Sequence, residues 1–473
     1  MKKEEIPLLE EAIDEIGELA GRMGLDAPPM RFEICPPEII YTLGAYGGMP
    51  TRFSHWSFGK AYHRMKTQYD FALSRIYELV INTDPCYAYL LERNSLIQNK
   101  LVVAHVYAHA DFFKHNLHYA QTRRDMLETM SRTAQVVRDY EFVHGKEQVE
   151  KILDAGLSIQ GQVDPWWREA EEPKEKKPDD ARSKPADPYA DLWALDQPVP
   201  KKGVAPPPPD KELPEKRDLL LVLVRYARYL EDWEKDILSL LRDEMLYFRP
   251  QITTKIANEG WATYWHQRLL RELDLTEGEA VEAAMLNSRI IQPPGTSLNP
   301  YLVGLRLFED IERRYDRTVD GAGTRAKVAD GENLPFADGR EAIFSVRETE
   351  NDSSLLRNFL TKELVEKLDL YLYTKMGDQW VVTETDWEKV RDGIILDLTD
   401  GGLPAVEVLD VDHEGKGTLA LRHLYDGREL HLRHLEKTLI QLQSLWRRTV
   451  ELETVVDGKE KTFVCDGNRS FTL

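Results

Sequence analysis

Apolar positions recur at threes and fours over several long stretches of the chain, the period of a helix that buries one face. Residues 3–22 place Leu8, Leu9, Ala12, Ile13, Ile16, Leu19 and Ala20 on one stripe. The same spacing predicts helices over 95–116 and 123–140. Another is expected over 218–246, where Leu223, Tyr226, Ala227, Leu230, Trp233, Ile237, Leu240 and Leu241 share a face. Further helices are expected at 259–273, 278–288, 301–314 and 353–368. In the last hundred residues the pattern shortens: QWVVTE, AVEVLDV, TLALRHL, RELHLR, TVELETVV and KTFVCD alternate or run briefly. Asp426-Gly427 and Asp457-Gly458 separate some of these runs, and such pairs favour hairpin turns. One helix, 434–447, interrupts them. The expected fold is mainly α, a multi-helix body with a small C-terminal α+β domain containing antiparallel hairpins.

Composition divides the chain further. Residues 171–217 hold eleven of its 25 prolines together with dense mixed charge, interrupted by the small apolar island YADLWAL at 189–195. Such a stretch lacks the backbone donors and apolar area that would offset the entropy of folding, so it reads as a linker. The expected organisation is an N-terminal helical part (1–170), the linker (171–217), a second helical part completing the same body (218–375) and the α+β tail (376–473). Lys+Arg 62 against Asp+Glu 82 gives a formal net charge of −20. That balance disfavours nucleic-acid binding through bulk charge, although the LWRR segment could make a local patch. Cys35, Cys86 and Cys465 are few, scattered and without a C-x-x-C, which argues against a disulfide framework or a thiolate zinc site. No apolar run approaches a membrane span, and acidic residues interrupt the N-terminus, so a cytoplasmic protein is expected.

The stretch with most chemistry is NSLIQNKLVVAHVYAHADFFKHN, where His105 and His109 stand one turn apart on the apolar face. This i, i+4 spacing lets two imidazoles meet one metal ion, while the plainer reading is a pair of core histidines bonded to polar partners. In NEGWATYWH, Glu259 and His266 lie two helical turns apart and could complete the site, one as ligand and one behind it. Trp261, Tyr264 and Trp265 would wall it. Glu244 continues an apolar stripe and needs a partner if buried, Arg249 or another arginine. Glu78, Glu92 and Glu244 are candidate proton acceptors or structural ion pairs. RFSHWSFGK offers Arg52, His55 and Lys60 as substrate contacts, or as a packing loop closed by cation–π contacts. Cys86 is a nucleophile candidate or a small buried hydrophobe. If HLRH is extended, His431 and His434 fall on opposite faces, unsuited to a metal. Nitrogen and oxygen ligands in a partly apolar site favour zinc, with iron and manganese as alternatives.

RFSHWSFGKAY, YELVINTDPCYAYLLE, HVYAHADFFKHN, NEGWATYWH and PPGTSLNPYLVG (293–304) occur in the order found in the stage V sporulation protein R (SpoVR) family, which the chain resembles over nearly its whole length. The resemblance implies a cytosolic protein tied to endospore formation, especially cortex assembly. It also implies an association, in non-sporulating bacteria, with a serine protein kinase and a partner of von Willebrand-type fold in stress physiology. No settled reaction comes with it. A second resemblance is mechanistic. H-x-x-x-H followed by E-G-W-A is similar to helical metallopeptidases with H-E-x-x-H and a distant Glu ligand, which would make His105, His109 and Glu259 ligands. The usual glutamate after the first histidine is Val106 here. Two functions are therefore expected in competition: a metal-dependent, hydrolase-like enzyme, or a non-catalytic adaptor in a kinase complex.

Overall fold

The computed structural model describes residues 3–70, 78–166, 213, 215–293, 297–316, 336–467 and 470–472. Most of the 171–217 segment, its YADLWAL island included, lies outside these residues. The N-terminal part opens with α1 (Ile6–Arg22), then β1 (Met30–Cys35), α2 (Pro37–Ala45), α3 (Trp56–Asp70), β2 (Glu78–Ile81) and β3 (Cys86–Leu91). These strands form a small sheet, β3 pairing parallel with β1 and antiparallel with β2. The helices α4 (Leu96–His115), α5 (Met126–His144) and α6 (Lys146–Ile159) follow. Ser95 caps α4 through a capping box with Gln98, each side chain taking the other's backbone N–H.

The apolar period over 218–246 holds, but the chain there makes two helices, α7 (Leu219–Tyr226) and α8 (Asp232–Thr253). Ala227 leaves helical geometry, and Glu231 restarts the helix with Glu234 accepting its backbone N–H. Periodicity does not register a break that keeps the apolar face aligned. Then come α9 (Lys255–Glu272), α10 (Glu277–Ile290), α11 (Pro300–Asp316) and α12 (Gly339–Thr349). The stretch expected as one helix over 353–368 divides into α13 (Asp352–Phe359) and α14 (Lys362–Lys367), with Thr361 capping the second. Among the described residues, sixteen helices and a helical content of 60% make the chain mainly α.

The remaining elements are the hairpin β4 (Leu372–Met376) and β5 (Gln379–Glu384), α15 (Trp387–Leu398), β6 (Val406–His413), β7 (Thr418–His423), α16 (Leu432–Trp446), β8 (Val450–Val456), β9 (Lys459–Cys465) and β10 (Ser470–Thr472). The five-stranded sheet has the order β10-β9-β8-β7-β6. It is mixed: β6–β7, β8–β9 and β9–β10 are antiparallel, while β7–β8 is parallel because α16 carries the chain across. Asp457 and Gly458 turn the β8–β9 hairpin with φ of 52° and 70°, the backbone a two-residue hairpin needs. RELHLR is no strand; it runs into α16. His431 is the residue before that helix and His434 lies in its first turn, so their rings stack 4.4 Å apart instead of facing opposite ways.

Two large cores organise the molecule. One unites α1, α4 and α9–α15 with β3, around Trp261, Trp265 and Phe308. The other joins α5–α8 to α16 and the five-stranded sheet. No described helix is long and apolar enough to cross a membrane.

Candidate metal centre

Helix α4 is buried almost all round, an unusual setting for two histidines: His105 and His109 are 1% and 4% exposed. They face α9, and contacts with three neighbouring helices hold the pair in place. Asp111 of α4 accepts from the Trp261 indole of α9 at 2.9 Å and from Arg347 of α12 at 2.8 and 2.9 Å. Asp352 accepts the Ala257 N–H at the start of α9. Gly260 of α9 meets Gly304 of α11 backbone to backbone. Tyr301 is thereby brought over His105, its ring 6.1 Å away at 28°.

Held this way, Nε2 of His105 and Nε2 of His109 each lie 3.5 Å from Oε2 of Glu259. Charge-assisted hydrogen bonds between such groups are shorter, about 2.7–2.9 Å. Two ligands on one tetrahedral ion with bonds of about 2.0–2.2 Å lie roughly 3.3–3.5 Å apart. One ligand atom from each residue lies within 4.8 Å of the other two. Burial pushes the Glu259 carboxyl up, but the facing imidazoles outweigh it and hold the group well below the ordinary carboxylate range.

The opposite ring nitrogens explain how the imidazoles are aimed. His266 Nε2 lies 3.2 Å from Asn287 Oδ1, an acceptor, so that nitrogen carries the proton. Burial pushes the His266 pKa down to about 3 and keeps the ring neutral, leaving its Nδ1 as an acceptor. His105 Nδ1, 2.9 Å away, must then donate to it, which turns the lone pair of His105 Nε2 toward Glu259. His109 Nδ1 likewise donates to Asn258 Oδ1 at 2.8 Å. This is the backing that metal-bound histidines receive.

Sequence reasoning brings His105, His109 and Glu259 together as the structure does. His266 stands behind His105 with both ring nitrogens engaged, so it is not a ligand facing the centre. Asn258, Asn287 and Tyr301 were not foreseen; Asn258 adjoins Glu259, but nothing in the pattern singles out Asn287. Glu244 is buried in an ion pair with Arg52, not Arg249, whose partners are Asp400 and the Gly161 carbonyl. Arg52 also packs over Phe58 at 4.3 Å. His55 bonds Asp154 and Ser57, and Trp56 also donates to Asp154, so the RFSHWSFGK loop docks α3 against α6 instead of reaching the histidine pair. Lys60 and Glu92 are exposed. Glu78 begins β2, with its side chain outside the described residues. Cys86 is buried and donates to the Ile81 carbonyl, and burial pushes its thiol up to about 12, which makes it a poor nucleophile. Val106 is fully buried in the first core.

The SpoVR-like protein family model matches residues 3–403, and that of the SpoVR-like C-terminal domain matches residues 404–457. A relative from Escherichia coli, described as uncharacterized protein YcgB, is 28% identical over 477 residues, covering 94% of this chain and 91% of its own. No solved structure matches the chain. The two family models together span all the segments that build the histidine–glutamate cluster, and the chain belongs to the SpoVR family.

Proposed function

We propose that this chain holds a divalent metal ion, zinc first, on His105, His109 and Glu259, and that it works as a metal-dependent, hydrolase-like enzyme in spore-cortex assembly or stress physiology in the cytoplasm. The observation that carries the reading is the pair of 3.5 Å separations from Glu259 Oε2, with each imidazole backed at Nδ1 so that its lone pair points inward. Three potential electron-pair donors converging in a buried site suit a cation among them. The donor set also fits iron or manganese. When bound, such an ion supplies Lewis acidity toward a carbonyl or phosphoryl oxygen.

The protein's own residues divide the remaining work. Asn258 and His266 hold the imidazoles in orientation, and Glu259 offsets part of the ion's charge. Proton transfer needs a base, which Val106 does not supply at the position where helical metallopeptidases keep a glutamate. Glu244 is neutralised by Arg52 and Glu92 faces solvent. Glu78, on the strand that packs beside α4, is our candidate.

Elemental analysis of the purified full chain tests the reading. About one ion per chain is expected, lost in His105→Ala, His109→Ala and Glu259→Gln. A wild-type protein that is metal-free and takes up none on titration ends it. Glu78→Gln should keep the ion and lose activity.

A second reading, an adaptor acting beside a serine protein kinase and a von Willebrand-type partner, draws on one observation: Val106 leaves the cluster without the customary base. Full function in cells of the His105→Ala/His109→Ala double variant, with loss only on deleting residues 376–473, would favour it.

A further inference from the structure

A cavity of about 340 Å³ lies between the helical body and the start of the five-stranded sheet, apart from the histidine cluster. Three guanidiniums line it: Arg217 just before α7, Arg249 near the end of α8 and Arg357 of α13. Arg249 is the buried one, donating to Asp400 Oδ1 at 3.1 Å and the Gly161 carbonyl at 3.3 Å. Arg217 and Arg357 are exposed, and among the described residues neither has a hydrogen bond or ion pair. Among the described residues, the carboxylates in the lining are Asp400 and Asp164, and Asp164 accepts the Trp166 backbone N–H. Trp166 keeps 54% of its surface exposed, with its ring edge-on to His118 at 5.4 Å.

This concentration of cations is out of character for a chain of net charge −20, in which acids outnumber bases 82 to 62. Two unpaired guanidiniums on one concave wall, beside an open indole, make a recognisable combination. Planar N–H forks match phosphate oxygens, and an aromatic face takes an organic ring. The volume lies at the lower end of small-molecule sites, about 300–1,000 Å³. We infer that the cavity binds a small phosphate-bearing anion, with Arg217 and Arg357 holding the phosphate and Trp166 covering any organic portion. Burial, with the neighbouring Arg217 charge, holds Arg249 below its ordinary pKa, a strain that a bound anion would relieve. Gln162 crosses the same seam, donating to the Pro404 carbonyl and accepting from Val406 N–H, so an occupant would touch both sides of the boundary between the two family models.

The test is calorimetric titration of the full chain, in salt of about 0.15 M, with inorganic phosphate in one arm and adenosine monophosphate in the other. Saturable binding in at least one arm is expected. Arg217→Ala and Arg357→Ala should each weaken it about tenfold or more without shifting the unfolding midpoint of the free protein, while Lys114→Ala leaves it unchanged. Tighter binding of the nucleotide identifies an organic phosphate; equal or tighter binding of phosphate identifies the free ion. Absence of saturable binding in both arms overturns the inference. So does binding that survives both arginine substitutions, or that falls equally in Lys114→Ala.

Discussion

Gly260 and Gly304 touch where α9 crosses α11. A Cβ built on Gly260 would lie 2.4 Å from the Gly304 Cα, and one on Gly304 would lie 2.3 Å from the Ile256 carbonyl oxygen. No side chain can turn aside there, because both obstacles are backbone. The contact sets how closely α11 lies on α9, and so where Tyr301 sits over His105.

Gly304→Ala should therefore destabilise the protein by about 1–3 kcal/mol or more, the usual cost of overpacking. Metal uptake should weaken with it, since the helix carrying Tyr301 must move. Gly21→Ala is the contrasting variant: nothing lies within 4 Å of the added methyl, and stability should rise by up to about 1 kcal/mol. Denaturant midpoints of the two variants check both signs.

The residues behind the imidazoles allow a second prediction. His266→Phe keeps the ring volume but removes the acceptor for His105 Nδ1, and Asn258→Leu does the same for His109. Each should lower metal affinity about 10- to 100-fold without abolishing binding. Competition with a chelator of known affinity measures it. An unchanged affinity would show that these bonds only pack the core.

What could be read in advance follows from what a one-dimensional pattern encodes. The His105/His109 spacing sits within a single helix and is visible at once. Glu259 joins them because its segment has the same helical period and an unusual local composition. The role of His266 was not legible, since a spacing of seven places it on the right face but does not say which ring nitrogen is taken. The sheet of β1, β2 and β3 was missed although MRFEIC alternates apolar and charged residues, because a single six-residue run between helical stretches is a weak signal by itself and β2 has only four residues. The breaks at Ala227 and Leu360 preserve the apolar face on both sides, and capping side chains decide them. Asp457-Gly458 was readable because the turn itself demands those residues.

Asp352 gives the pH prediction. It is 2% exposed, and burial pushes its carboxyl up to about 7 although backbone N–H groups at the start of α9 oppose the shift. A carboxyl raised in the folded state holds its proton there after the unfolded chain has released it. The stability it contributes is whole below about pH 4 and declines as pH rises toward 7. Asp352→Asn still accepts the Ala257 N–H through its side-chain oxygen but has no proton to lose. Its unfolding midpoint should thus fall less than the wild type's between pH 4 and 7, a difference of a few kcal/mol at most. Parallel slopes would exclude a raised Asp352.

Arg52 and Glu244 form a buried ion pair outside the histidine cluster. Their side chains are 10% and 4% exposed, and burial pushes the arginine down to about 10. Removing one partner leaves the other charged in an apolar setting against Phe58 and Phe248. Arg52→Met and Glu244→Gln should each cost about 3–5 kcal/mol, while the double variant costs clearly less than their sum. A substrate-binding role for Arg52 or a proton-transfer role for Glu244 predicts otherwise: small changes in stability and additive effects. A double-mutant cycle read by chemical denaturation separates the two. Strong coupling would assign the RFSHWSFGK loop to holding α3 and α8 together, leaving Glu78 alone among the proposed proton acceptors.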